Sequence, residues 1–264
     1  QLAKRIIGQE KLVDRLLIAL LADGHLLVEG APGLAKTTAI KALADHLEGD
    51  FHRIQFTPDL LPSDVTGSEI YRPETGQFEF QRGPIFHNLV LADEINRAPA
   101  KVQSALLEAM GERQISVGMR TFPLDRLFLV MATQNPIEQE GTYPLPEAQL
   151  DRFLIQINVG YPDHDSEKMV LAKTTGAESS VARKVFDAKE LLAAQKLVRH
   201  VPVGEGVVEA VLKLVRAGRP GSSDLPQFAA NVSWGPGPRA SQAFMLCARA
   251  RAVLHGRLAP SVDD

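Results

Sequence analysis

The sequence predicts an α/β protein: a mostly parallel five-stranded sheet with helices on both faces over residues 1–160, and a small all-helical domain over residues 161–264. Two observations carry this prediction. Short apolar runs alternate with longer segments of helical spacing through the first 160 residues or so, and such alternation is typical of parallel sheets. After Tyr161-Pro162 only helical periodicity remains, punctuated by Gly and Pro.

Each predicted strand is short and rich in Leu, Ile, Val or Phe, as expected for strands buried on both faces. The five runs lie at residues 25–29, 51–56, 88–92, 127–132 and 153–159. Helical spacing predicts helices at 36–47 and 100–110 in the first domain. The helices expected in the second domain lie at 166–174, 188–198, 205–217 and 241–255.

Two segments interrupt this alternation, and both favour β-hairpins. Residues 70–80 place strand-forming residues around a Pro-Glu-Thr-Gly turn, and residues 114–124 do so around Val-Gly-Met. The sequence alone leaves open whether these hairpins are functional elements or plain surface ribbons.

Composition limits the function classes. The chain is 45% hydrophobic and 23% charged with a net charge of −3, which argues against a broad basic surface for nucleic acid. No stretch approaches the roughly 20 apolar residues of a membrane helix, and no charged-then-apolar leader follows Gln1. The single cysteine, Cys247, excludes an internal disulfide and suits a reducing cytoplasm. We expect it to be a small core residue.

Residues 30–37, Gly-Ala-Pro-Gly-Leu-Ala-Lys-Thr, connect a predicted strand to a predicted helix. Small residues let the backbone N–H groups converge on one point, where the helix N-terminus adds partial positive charge. Lys36 would reach the β- and γ-phosphates of a nucleotide, and the Thr37 hydroxyl would bind Mg²⁺. Ala35 departs from the usual pattern, which has glycine there. The alternative is a strand–turn–helix with an incidental Lys-Thr pair.

Polar side chains also end two later strands. Asp93 and Glu94 follow the apolar run at 88–92, and acids at the carboxyl end of a parallel strand face the crevice that binds ligands. Asp93 would hold Mg²⁺ through a water, and Glu94 would act as general base toward the attacking water. Asn135 follows the run at 127–132 and would orient that water or contact the γ-phosphate. A solvated strand end and an ordinary Asn-Pro turn are the alternatives.

These residues together resemble the AAA+ superfamily and, within it, the MoxR family, over nearly the whole chain. The most specific matches are Gly-Leu-Ala-Lys-Thr at 33–37, Leu-Ala-Asp-Glu-Ile-Asn-Arg-Ala-Pro at 91–99, Ala-Thr-Gln-Asn-Pro at 132–136 and Leu-Asp-Arg-Phe at 150–153. Alanine at the position of Ala35 is common in MoxR proteins. The departure noted above therefore supports this resemblance.

The resemblance implies roles for particular residues. Asn135 corresponds to the first sensor, Arg152 to an arginine finger acting in trans, and Arg239 to a second sensor on the helical lid. Arginine suits both roles because its planar, permanently charged fork matches phosphate oxygens. The full set expected at the nucleotide is Ile7, Gly8, Ala31, Pro32, Gly33, Leu34, Ala35, Lys36, Thr37, Thr38 and Arg239, with Glu94, Asn135 and Arg152 catalytic beside Lys36, and Thr37 and Asp93 at the metal.

The resemblance also implies ATP and Mg²⁺ as ligands, a ring of six subunits, and chaperone-like remodelling, assembly or activation of partner proteins, often metal-cofactor enzymes. A partner with a von Willebrand factor A domain is typical of the family. The two hairpins resemble inserts that face the central pore, so Phe78, Phe80, Met119 and Arg120 become candidate client contacts, with packing against the core as the alternative for the two phenylalanines. Family members usually continue with a further lid helix, so the second domain is expected to be incomplete at its C-terminus.

Two other functions remain to be weighed. Related AAA+ clades with the same hairpins include helicases, which makes a nucleic-acid motor the main alternative. The chain lacks the dense Lys/Arg cluster with interleaved aromatics that tracking along a single strand favours, so no nucleic-acid partner is expected. A nucleotide switch without hydrolysis conflicts with the intact Asp93-Glu94 pair and both arginines.

Overall fold

The structure, a computed structural model, describes residues 6, 8–31, 33–34, 36–136, 142–174, 186–220 and 231–264. The predictions for Ile7, Pro32 and Ala35 lie outside the described residues. The chain divides into two compact units. The first comprises Gln1–Leu16 and His25–Glu190, and the second comprises Leu17–Gly24 and Leu191–Asp264.

A five-stranded parallel sheet forms the centre of the first unit, with strand order β10–β1–β9–β6–β3. Its strands are β1 (His25–Gly30), β3 (Phe51–Gln55), β6 (Leu89–Asp93), β9 (Leu129–Gln134) and β10 (Phe153–Val159). Each lies within two residues of a predicted strand, which confirms the α/β prediction. β6 and β9, which lie inside the order, are apolar up to their polar carboxyl ends and are buried except at Gln134, because helices cover both faces of such a sheet.

Six helices of the first unit are described. They are α1 (Glu10–Leu21), which continues into the second unit after Leu16, α2 (Lys36–His46), α3 (Pro62–Thr66), α4 (Ala100–Glu112), α5 (Glu147–Leu150) and α6 (His164–Thr174). The sequence analysis missed α1, α3 and α5. α3 and α5 are single turns too short for a periodic signal. α1 could have been predicted, because its buried residues Leu12, Leu16 and Ala19 recur at helical spacing.

The second unit is helical in its described residues. Its helices are α7 (Ala188–His200), which begins in the first unit, α8 (Glu205–Ala217) and α9 (Pro238–Leu254). Within this unit, Gln195 Nε2 donates to the Leu20 carbonyl at 2.8 Å. Burial raises the pKa of the Cys247 thiol on α9 to about 12, so the thiol stays protonated. Among the residues that the structure describes, no helix has the length and apolar character needed to cross a bilayer.

One short ribbon departs from the prediction of helices alone after residue 161. The two-residue strand β11 (Phe186–Asp187) pairs in parallel with β2 (Leu47–Glu48). Main-chain pairing of two residues leaves no periodicity in the sequence, which is why the prediction was wrong there.

The two predicted hairpins are present. The first joins β4 (Gly67–Arg72) to β5 (Gln77–Arg82), and the second joins β7 (Gln114–Val117) to β8 (Arg120–Pro123). The Phe80 ring of the first stacks on the Phe122 ring of the second, with centroids 3.9 Å apart and planes 15° apart. We call the two connected hairpins the hairpin pair.

Candidate functional site

The carboxyl ends of three neighbouring strands bring together side chains that are far apart in sequence. The parallel order β1–β9–β6 places the ends of these strands at one edge of the sheet, where ligands of such sheets bind. The side chains involved are Lys36 and Thr37 after β1, Asp93 and Glu94 at the end of β6, and Thr133 on β9. We call these five residues the carboxyl edge.

The loop after β1 is shaped by glycine at two described positions. A Cβ on Gly30 would lie 2.6 Å from the Val159 carbonyl of β10, so only glycine allows this approach. Gly33 has φ of +82°, and a Cβ there would meet no atom of the described residues within 4 Å. The loop therefore turns in a conformation that favours glycine and leaves open space beside Gly33. Of the other predicted contacts, Leu34 is buried, Ala31 half-buried and Thr38 exposed.

Lys36 begins α2 and its ammonium is held by main-chain oxygens. Its Nζ donates to the Gly30 carbonyl at 2.5 Å and to the Gln134 carbonyl at 3.3 Å. Burial lowers the pKa of Lys36, while the carboxylates of Asp93, Glu94 and Glu29 act in the opposite direction. Burial makes the charged form of the ammonium less favourable, and an anion bound at Nζ would offset that cost.

The Asp93 carboxylate is the centre of the hydrogen-bond network. Its Oδ1 accepts from Thr133 Oγ1 at 2.5 Å, and its Oδ2 accepts from Thr37 Oγ1 at 3.3 Å. Arg53, on β3, donates to the same Oδ2 from Nη2 at 2.6 Å and from Nε at 3.0 Å. The Asp93 side chain is only 9% exposed, so these partners stabilise a buried charge.

Glu94 adopts a left-handed backbone conformation, with φ 58° and ψ 49°. A non-glycine residue in this region is strained, and such strain concentrates at functional sites. The conformation is held by the bond from the Glu94 N–H to Thr133 Oγ1, at 2.9 Å. The Glu94 carboxylate accepts from Gln55 Nε2 at 3.0 Å and from Arg97 Nη1 at 3.4 Å.

Asn135 directly follows β9 at the same edge and is buried. Its backbone is held by Asn96, which donates from Nδ2 to the Asn135 carbonyl at 3.1 Å and accepts the Asn135 N–H at 3.5 Å. The strand end that carries this candidate sensor is therefore tied to the short 3₁₀ turn Ile95–Arg97 after β6.

Arg152 is placed apart from the carboxyl edge of its own chain. It precedes β10, and its Nη1 donates to the Leu107 carbonyl on α4 at 2.5 Å. A side chain on Gly111, on the same helix, would collide with this guanidinium. Within the chain, Arg152 thus lies against the C-terminal half of α4.

The remaining predicted contacts lie elsewhere in the chain. Gly8, with φ of +71°, packs so closely on α6 that a Cβ would lie 2.5 Å from Ser166 Cβ. The neighbouring Gln9 Nε2 donates to the Gly160 carbonyl at 3.2 Å. Arg239 lies in the first turn of α9, in the second unit, and is exposed.

The sequence analysis missed Arg53 and Gln55, and gave no role to Thr133. Arg53 and Gln55 alternate on β3, so their side chains share one face, and Gln55 pairs in register with Asp93. Only the strand order shows that β3 lies beside β6. The sequence does show polar Arg53 and Gln55 on either side of apolar Ile54 in the second predicted strand. This alternation places both side chains on one face of the strand, but it points to Asp93 only once the strand order is known.

The residues present fit a nucleotide with Mg²⁺. An open, glycine-shaped loop, a partly buried ammonium and a helix N-terminus suit phosphates, and a hydroxyl bonded to a carboxylate suits a hard cation. In the described part of the chain no group of three or more His, Cys, Asp or Glu side chains could hold a metal alone. Mg²⁺ typically uses one or two protein ligands together with substrate phosphates and water, and Thr37 and Asp93 could provide the protein part.

Comparison with known proteins shows which family this chain is similar to. Residues 25–155 match the model of the ATPase family associated with various cellular activities (AAA). The chain is 48% identical to Chaperone MoxR1 of Mycobacterium tuberculosis, over 96% of this chain and 67% of that protein. It is 32% identical to Protein MoxR of Methylorubrum extorquens, over 97% of this chain and 79% of that protein.

A solved structure of another protein has the same fold. The crystal structure of a protein classed as an ATPase from Cytophaga hutchinsonii superposes with a TM-score of 0.90 at 44% identity. The match covers 99% of this chain and 80% of that one.

Proposed function

Because the chain belongs to the MoxR family of AAA+ ATPases, we propose that it binds Mg-ATP at the carboxyl edge and hydrolyses it in a hexameric ring. The observation that carries the proposal is the 3.3 Å bond between Thr37 Oγ1 and Asp93 Oδ2. It joins the predicted metal hydroxyl to the predicted metal carboxylate across 56 residues of sequence.

Each residue of the carboxyl edge has a defined task in this proposal. Thr37 and Asp93 would hold Mg²⁺, which when bound would supply positive charge against the negative charge that develops on the phosphates. Lys36 binds the β- and γ-phosphates through Nζ, exchanging its carbonyl partners for phosphate oxygens. Glu94 accepts a proton from the attacking water at a carboxylate oxygen, while Gln55 and Arg97, which both donate to Oε2, hold the carboxylate in place.

Residues from outside the carboxyl edge complete the proposed site. Asn135 orients the attacking water or contacts the γ-phosphate, and Gly8 and Ile7 contact adenine. Arg152 reaches the nucleotide of the neighbouring subunit, exchanging the Leu107 carbonyl for phosphate oxygens. Arg239 contacts the γ-phosphate of its own subunit from the lid. An arginine acting in trans can contribute about 10³–10⁵ in rate in related enzymes.

The proposed work of the ring is chaperone-like: remodelling, assembly or activation of cytoplasmic partner proteins, with a von Willebrand factor A domain protein as a typical partner. The hairpin pair is the proposed client surface. Phe78 is 61% exposed and Met119 is fully exposed, and one hollow is lined by Phe78, Phe80 and Arg120 from both hairpins. Phe80, which stacks on Phe122, contributes more to packing than Phe78 does.

The test mixes two inactive variants. We expect Lys36→Ala to lose nucleotide binding and Arg152→Ala to bind ATP without turning it over. In mixed rings, the Lys36→Ala subunit still supplies Arg152 to a neighbour whose own Lys36 is intact, so mixing should restore ATPase activity. Mass photometry on the same samples follows ring formation.

A matched mixture controls this experiment. Lys36→Ala mixed with Glu94→Gln should stay inactive, because neither subunit then has a complete site whatever its neighbour supplies. If the Arg152→Ala mixture also stays inactive while mixed rings form, Arg152 does not act in trans. A wild-type rate per subunit that is independent of protein concentration and is unchanged by Arg152→Ala would overturn the ring itself.

A further inference from the structure

The Asp93 oxygen on the side of the proposed metal site, Oδ2, is bonded to the Arg53 guanidinium. Oδ2 is the oxygen that Thr37 Oγ1 approaches at 3.3 Å, and the Arg53 guanidinium donates to it at 2.6 and 3.0 Å. The other oxygen, Oδ1, is bonded to Thr133 Oγ1. A water bound to Mg²⁺ that donated to Asp93 on the Thr37 side would therefore need the position that Arg53 holds.

Arg53 is placed so that it can release this oxygen. It lies on β3, at the end of the strand order among the described residues, and pairs in register with Leu91, two residues before Asp93. Its side chain is 42% exposed, against 9% for Asp93. A long side chain at the edge of a sheet can rotate into water without opening the core, whereas Asp93 is fixed by Thr133.

Arg53 and a bound metal ion would both place positive charge beside the Asp93 carboxylate. A guanidinium within 3 Å of Oδ2 and a divalent cation on the same side of that carboxylate would repel each other, and partial burial weakens the screening. Without the metal, Arg53 neutralises a carboxylate that would otherwise be a buried, unpaired charge. With the metal present, its repulsion of the guanidinium would weaken the same contact.

We propose that Arg53 is a latch that competes with Mg²⁺ for Asp93 and must leave Oδ2 before the metal site is complete. This inference rests on the proposed nucleotide site. Arg53 is then a positioning residue that sets the magnesium concentration at which the site closes, and it does not contact the reacting atoms.

The experiment measures magnesium dependence without turnover. Fluorescent N-methylanthraniloyl-ADP is bound to the full chain while Mg²⁺ is raised from zero in EDTA, for wild type, Arg53→Gln and Arg53→Lys. We expect the half-saturating Mg²⁺ concentration to fall roughly two- to fivefold in Arg53→Gln, the size typical of a partly exposed ion pair. The fall should be smaller in Arg53→Lys, and ADP affinity in EDTA should not change.

Two controls make the result specific. Arg199→Gln removes a different, longer ion pair, to Asp23 at 3.8 Å with the arginine 55% exposed, and should leave the magnesium midpoint unchanged. In an Asp93→Asn background, Arg53→Gln should no longer shift the midpoint, because the shared carboxylate is gone.

The outcomes separate the latch from the nucleotide site. An unchanged midpoint in Arg53→Gln overturns the latch, and a raised midpoint overturns it and shows instead that Arg53 supports the metal site. If Arg53→Gln fails to fold, an unchanged or raised midpoint in Arg53→Lys overturns it equally. If wild type binds no ADP with or without Mg²⁺, the proposed function itself is wrong.

Discussion

The carboxyl edge and the hairpin pair differ in what holds their side chains. At the carboxyl edge, polar groups bond one another around Asp93, and Thr133 is only 1% exposed. On the hairpin pair, aromatic rings stack near the surface, and Met119 at a turn is fully exposed. Unsatisfied buried polar groups cost more than lost exposed contacts. Substitutions at the carboxyl edge should therefore have the larger effects.

The largest expected effect is on catalysis at Glu94. Glu94→Gln keeps the size and much of the hydrogen bonding of the side chain but cannot accept the proton of the attacking water. We expect kcat to fall about 10²–10⁴-fold while ATP binding is retained, measured by steady-state ATPase assays and equilibrium binding. Glu209→Gln, an exposed acid on α8, is the control and should match wild type. Turnover near the wild-type rate in Glu94→Gln would remove Glu94 from the role of base.

The next effect concerns a titratable group buried at the start of β1. His25 donates from Nε2 to the Met110 carbonyl at 3.3 Å and accepts the Val130 N–H at Nδ1, at 3.0 Å. Burial, with a smaller contribution from the charge of Arg113, lowers the pKa of His25 from 6.5 to about 4. Between pH 6.5 and 4 the unfolded chain therefore binds a proton that the folded chain does not.

Stability from His25 is thus fully present above pH 6.5 and is lost as the pH falls toward 4. The loss should be about 3 kcal/mol over this window, measured by urea unfolding at pH 7.5 and pH 4.5. His25→Asn should be less stable at pH 7.5 but lose less on acidification, whereas exposed His164→Gln should follow wild type. Equal acid losses in wild type and His25→Asn would show that His25 is not held neutral.

A matched pair of threonines compares the two regions directly. Thr133→Val keeps the shape but removes both the donor to Asp93 and the acceptor for the Glu94 N–H. It should reduce the free energy of unfolding by about 1–3 kcal/mol. Thr121→Val on the hairpin pair loses only a 3.5 Å contact with Ser116 and should change it by less than about 0.5 kcal/mol. Similar losses in the free energy of unfolding for Thr133→Val and Thr121→Val would contradict the expected difference between the carboxyl edge and the hairpin pair.

The same contrast explains what could be predicted from the sequence. The parallel strands and the glycine-containing loop after β1 were predictable because each is a contiguous pattern, and the Asp93-Glu94 pair stood out because it ends an apolar run. The contacts of Asp93 with Arg53 and Thr133 each span 40 residues of sequence and depend on the strand order β3–β6–β9. No local pattern determines that order, so Arg53 was missed.

The smallest expected effect is the coupling of the two hairpins through Phe80 and Phe122. Stacked rings contribute about 0.5–1.5 kcal/mol beyond their buried area, so a double-mutant cycle with Phe80→Ala and Phe122→Ala should give an interaction energy of that size. Met119→Ser, at an exposed turn, should leave the free energy of unfolding unchanged within about 0.5 kcal/mol. Additive effects of the two phenylalanine substitutions would show that the hairpins are energetically independent. A measured coupling of this size would show that the two hairpins stabilise each other through the Phe80–Phe122 ring pair.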